Sequence, residues 1–190
     1  MSSGVWIAVI VAAAVIVVLV IAAVLGPRRR SRRLRRRFGP EYDRTVEAAS
    51  NRKDAEQELT DREKRHEELD LRDLSPEEKQ RYDAAWTHIQ EQFIDDPGGA
   101  LDAADRLVTK AMTDRGYPNE NYDQQVADLS VEHSRPLGRF RAAHEIAARA
   151  GHGEASTEDM RVAIVDYREV FAELVGVDHG DHHSTSHHQQ

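Results

Sequence analysis

The sequence predicts an all-α protein: an N-terminal transmembrane helix, a long charged stalk helix and a small bundle of four or five amphipathic helices. Three observations carry that expectation. Residues 5–25 are an unbroken apolar run. Beyond residue 75 the apolar residues recur at helical spacing, bounded by cap and stop residues. Nowhere do they alternate with period two over a useful length, so no sheet is expected.

The first element is the anchor, residues 1–27. The run VWIAVIVAAAVIVVLVIAAVL is 21 residues long. As a helix it would cover about 31 Å, enough for the hydrocarbon core of a bilayer. A core helix of a soluble domain would show a polar face, and this run has none. A cleaved signal peptide would begin with a basic stretch and carry a shorter apolar core; here Met1 to Gly4 bear no charged side chain. Trp6, at the outer end, is placed for the membrane interface. Gly4, Ala8 and Ala12 make a small-residue ladder of the kind that lets two helices approach, or a chance spacing in an alanine-rich chain.

The second element, residues 28–40, is an arginine block. Arg28, Arg29, Arg30, Arg32, Arg33, Arg35, Arg36 and Arg37 follow the apolar run with no acid among them. By the positive-inside rule the C-terminal side should be cytoplasmic and the N-terminus outside. The same arginines, with Trp6, are the expected contacts to the membrane interface and lipid headgroups. The formal net charge is −8, so once those eight positive charges are set aside the rest carries −16. That body would repel phosphates, which argues against nucleic acid as a partner.

Residues 41–74 follow the break at Gly39-Pro40. They are dominated by charge, uninterrupted by proline or glycine up to Asp70, and sparse in apolar residues that sustain no heptad. They predict a charged stalk helix; the alternatives are a helix that lays one thin apolar stripe on the body and a partly disordered linker.

Residues 75–176 predict the acidic helical bundle. Ser75-Pro76-Glu77-Glu78 reads as an N-cap, a first-position proline and a capping-box glutamate. Tyr82, Trp86, Ile89 and Phe93 follow as a stripe. Asp95-Asp96-Pro97 ends that helix and starts the next, which stops at Gly116. A short segment near 121–129 is the weakest helical signal. Leu137, Phe140, Ala143 and Ile146 make the next stripe, and the loop GHGEAS leads into Thr157-Glu158-Asp159, which opens the last helix, closed by Gly176. Trp86, Phe93, Tyr122, Phe140, Tyr167 and Phe171 read as core, not as a cofactor pocket.

No active-site motif is present. There are no cysteines, which excludes disulfides and thiolate chemistry. His144-Glu145 begins a zinc-protease motif, but Ala148 stands where the second histidine belongs. Gly151-His152-Gly153 lacks the third glycine and the preceding strand of a dinucleotide site. The chain is therefore not expected to be an enzyme, and no cofactor is implied by a motif. The one suggestive stretch is residues 177–190, expected to be a disordered tail. Its His179, His182, His183, His187 and His188 are candidate ligands for zinc, nickel or copper.

The strings FGPEYDR, FIDDP, DRGYP, DLSVEH, FRAAHEIA and STEDMRVAIVDYREVF, spread over residues 38–171, together resemble a family of uncharacterised bacterial, mainly actinobacterial, single-pass membrane proteins. Those proteins carry an arginine-rich juxtamembrane block and a helical C-terminal domain. The resemblance implies the architecture and no catalytic residue; the histidine tail is not part of it.

The function expected is a membrane-anchored cytoplasmic interaction or scaffold module, its acidic body favouring a basic protein partner. The alternatives are a metal-binding or metal-responsive protein acting through the tail, and a self-assembling homo-oligomer.

Overall fold

The structure is a computed structural model that describes residues 3–119 and 121–176; before Arg28, it describes the side chains only of Trp6, residues 11–16 and Gly26. The described residues are helical and contain no strand. They divide into two compact units, Met1–Lys64 and Arg65–Gln190.

In the first unit, helix α1 runs Ser3–Phe38, and Pro27 lies inside it without ending it. Gly39 ends it. Its φ of 49° lies in the left-handed region, which glycine enters without a Cβ penalty. Pro40 then starts helix α2, Pro40–Ala48, and helix α3 spans Arg52–Glu67. Among the described residues no helix is long and apolar enough to cross a membrane. Most side chains of 5–25 lie outside that set.

The single stalk helix expected over 41–74 is corrected. Ala49 is extended, at φ −86° and ψ 157°, and α3 starts three residues later. Asn51 gives the local reason: its side-chain oxygen accepts from the Asp54 N–H at 3.0 Å, a cap that competes with continuing the helix. The sparse apolar residues are not solvated either. Tyr42, Ala55 and Leu59 are buried, as are Leu34 and Phe38 from within the arginine block.

The second unit holds the expected bundle: α4 (Pro76–Asp95), α5 (Pro97–Asp114), α6 (Tyr122–Glu132), α7 (Leu137–Gly151) and α8 (Thr157–Val175). Ser75 and Glu78 form the anticipated capping box, and Ser156 and Asp159 form a second. Asp96 caps α5 through the Gly99 N–H. The weakly signalled segment is a helix, capped by Asn121. Helix α5 packs against α4, α7 and α8, and α8 also against α7. Trp86 and Phe171 stack with centroids 4.8 Å apart in the core. Phe140 and Tyr167 are buried beside them, while Phe93 and Tyr122 are partly buried at its edge.

Candidate functional site: the basic face and groove of the first unit

Helical phase divides the eight arginines. At about 100° per residue, Ser31, Leu34 and Phe38 share one narrow sector of α1, and all three are buried. Arg30, Arg33 and Arg37 flank that sector on one side, and all three reach α3. One Arg30 Nη donates to the Glu56 carbonyl at 2.9 Å and to the Thr60 hydroxyl at 2.9 Å. Arg33 meets the Glu63 carboxylate at 2.5 Å, and Arg37 approaches it at 3.6 Å. Arg35, on the other flank, pairs with Asp43 at 2.9 Å, its guanidinium 5.0 Å from the Tyr42 ring centre.

Arg28, Arg29, Arg32 and Arg36 occupy the remaining sector. They are exposed, and among the described residues they make no ion pair. The block thus does two jobs. Four arginines hold the acidic α2 and α3 against α1, and four are exposed without an ion pair among the described residues.

The contacts of Arg33 and Arg37 are substantial because the acid they share is buried, whereas Arg35 and Asp43 are both exposed and their pair contributes little. Glu63 has only 5 % of its side chain exposed, and an unpaired carboxylate there would carry a large desolvation cost. Glu56 is the centre of a network. Its Oε1 accepts from the Ser31 hydroxyl at 2.5 Å, the Tyr42 hydroxyl at 2.8 Å and the Arg52 Nε–H at 2.9 Å. Burial pushes the Glu56 carboxyl up, and these three donors more than offset it, so it sits below the usual carboxylate range. Arg52 is raised by its own bonds to Glu56 and to the Tyr42 hydroxyl, which accepts from the Arg52 Nε–H at 2.9 Å.

Between α1 and the start of α3 lies an open groove of about 910 Å³. Arg28, Arg32 and Arg35 line it from α1, with Arg52 and Lys53 opposite. Lys53 is exposed and makes no ion pair among the described residues. Arg52 and Lys53 were invisible as site residues in the sequence, because they lie more than one helix away from the block they join. The four-residue recurrence of Arg28, Arg32 and Arg36 was the available signal for the outward row.

The remaining sequence candidates are placed differently. Trp6 is exposed on α1. The five tail histidines, His179 to His188, lie outside the described residues. Among the described residues no group of three or more His, Asp or Glu is arranged to hold a metal ion. His144, the remnant of the zinc-protease pattern, serves the bundle instead. Its Nδ1 lies 3.0 Å from Asp105 Oδ1, which also accepts from the Tyr167 hydroxyl at 2.7 Å. Tyr122 stacks on the imidazole at 4.0 Å. Burial raises the Asp105 carboxyl, and His144 and Tyr167 outweigh that and hold it low. Both Asp105 contacts tie helices of the bundle together, α5 to α7 and to α8.

No family model, no curated protein and no solved structure matches this chain.

Proposed function

We propose that the chain is a membrane-anchored interaction module: α1 spans the bilayer through residues 5–25, the arginine block lies at the cytoplasmic headgroup layer, and the acidic bundle engages a protein partner. One observation carries the reading. Helix α1 continues without interruption from the apolar run into the arginines, and where its apolar side chains are described, at Trp6, Val11, Val15 and Ile16, they are exposed. Exposed apolar residues on consecutive turns need an apolar partner, and the run is of bilayer length. The outward row of Arg28, Arg29, Arg32 and Arg36 meets anionic headgroups, each charge contributing about 1 kcal/mol near such a surface. The net acidity of the chain favours a basic partner surface.

The experiment is fractionation and labelling in cells. The full chain should resist carbonate extraction, and Gly180→Cys, a lone cysteine in this chain, should react with an impermeant maleimide only after lysis. Release into the carbonate supernatant would remove the anchor. Labelling in intact cells would reverse the orientation.

A further inference from the structure

We propose that the groove between α1 and α3 is a binding site for one anionic phosphate group, built from Arg28, Arg32 and Arg35 on one wall and Arg52 and Lys53 on the other. Three of these cations, Arg28, Arg32 and Lys53, have no ion-pair partner among the described residues. Arg35 and Arg52 are already oriented, by Asp43 and by Glu56 with Tyr42. The fold therefore holds like charges around a common cavity, which costs energy that a bound anion recovers. The one carboxylate on the lining, Glu56, is occupied by Ser31, Tyr42 and Arg52. Guanidinium groups bind phosphate oxygens in pairs, and an ammonium adds a compact charge.

Position selects the source. Arg28 and Arg32 lie three and seven residues beyond Leu25, about 5 and 10 Å along the helix. That is the depth of the headgroup layer next to a spanning helix. The phosphate of an anionic lipid headgroup is the occupant this favours, a choice that rests on the anchored reading. The groove itself does not depend on it, because free phosphate presents the same chemistry.

The test uses the full chain in neutral detergent, with native mass spectrometry reading retained lipid and phosphorus NMR reading inorganic phosphate. The probes are phosphatidic acid, phosphatidylcholine and inorganic phosphate. Arg32→Glu with Lys53→Glu reverses two groove charges and breaks no pair seen in the structure. Arg44→Glu with Arg65→Glu makes the same charge change at exposed cations outside both the groove and the arginine block. Phosphatidic acid should be retained over phosphatidylcholine by the unaltered protein. The groove variant should lose about tenfold or more of that preference, at roughly 1 kcal/mol per charge, while the control variant keeps most of it. Binding of inorganic phosphate that disappears only in the groove variant also supports the site, and without lipid retention it makes free phosphate the source. Equal losses in both variants, with helicity retained, would overturn the groove in favour of diffuse charge. Retention of neither probe would overturn it too. Carbonate release of the unaltered protein alongside selective phosphate binding would sink the anchor and leave the groove standing.

Discussion

Leu59→Ala separates a folded first unit from a solvated stalk, because the two give opposite signs. In a solvated stalk, alanine is the better helix former and the substitution would be neutral or slightly stabilising. In the structure Leu59 is 0 % exposed. Burying a leucine contributes about 1.5–3 kcal/mol in transfer terms, and Leu→Ala changes in cores cost about 2–5 kcal/mol once the cavity is included. The positions about one turn away on α3, Ala55, Glu56 and Glu63, are buried as well, so the middle of that range applies: about 3 kcal/mol is the expected loss, near a hundredfold in an opening equilibrium. A helix of this length and polarity is marginal alone in water, so its amide protection depends on this packing. Hydrogen exchange of the full chain in detergent, read peptide by peptide, should show amides of 52–67 exchanging about a hundredfold faster, with Lys64→Ala as the exposed control. Unchanged or slower exchange in Leu59→Ala would refute the folded unit and restore the stalk.

Three further outcomes follow from the geometry. Glu56 has a folded pKa below its unfolded value of 4.5, so its network stabilises the first unit fully above pH 4.5 and loses that contribution as pH falls through the depressed value; Glu56→Gln should flatten the acid-side loss of α3 protection. Gly116 sits at φ +99°, and a Cβ there would meet the Asp70 carbonyl oxygen at 2.4 Å, so Gly116→Ala should cost at least about 1–2 kcal/mol, read as a lowered midpoint in the bundle's thermal melt. Tyr167→Phe removes one of the donors to Asp105, which should lower stability by about 1 kcal/mol and raise the Asp105 pKa in a carbon-detected NMR titration.

The bundle was legible because its signals are local. Each of Ser75, Asp96 and Ser156 writes its helix start within four residues, and the apolar stripes between them needed no knowledge of the partner. The first unit was not legible for the complementary reason. Its apolar residues are few, and Tyr42, Ala55 and Leu59 reach burial only because Leu34 and Phe38, hidden among arginines, contribute to the same unit. Asn51 was a local signal that the surrounding charge obscured. The groove needs α3 to return to α1, and nothing in the spacing of Arg52 and Lys53 announces that. Asp105 shows the same limit inside the bundle. It is one acid among 34, and only the fold brings His144 and Tyr167 to it.

The division of the arginine block by phase implies that its order matters as much as its charge. Topology by the positive-inside rule responds to the number of arginines beside the membrane segment and is indifferent to their order. The folded unit is not indifferent, since Leu34 occupies the buried sector of α1 and Arg36 the outward one. Exchanging them, Leu34→Arg with Arg36→Leu, leaves composition and net charge untouched. It forces a guanidinium into a site that is 0 % exposed and strands a leucine in solvent. An unpaired buried charge costs several kcal/mol, more than a three-helix unit of this size can absorb. The exchanged chain should keep its orientation in the cysteine-labelling assay while residues 40–67 lose amide protection. Persistence of that protection would mean that the arginines act only in number and that the contacts of Arg30, Arg33 and Arg37 with α3 do not hold the unit together.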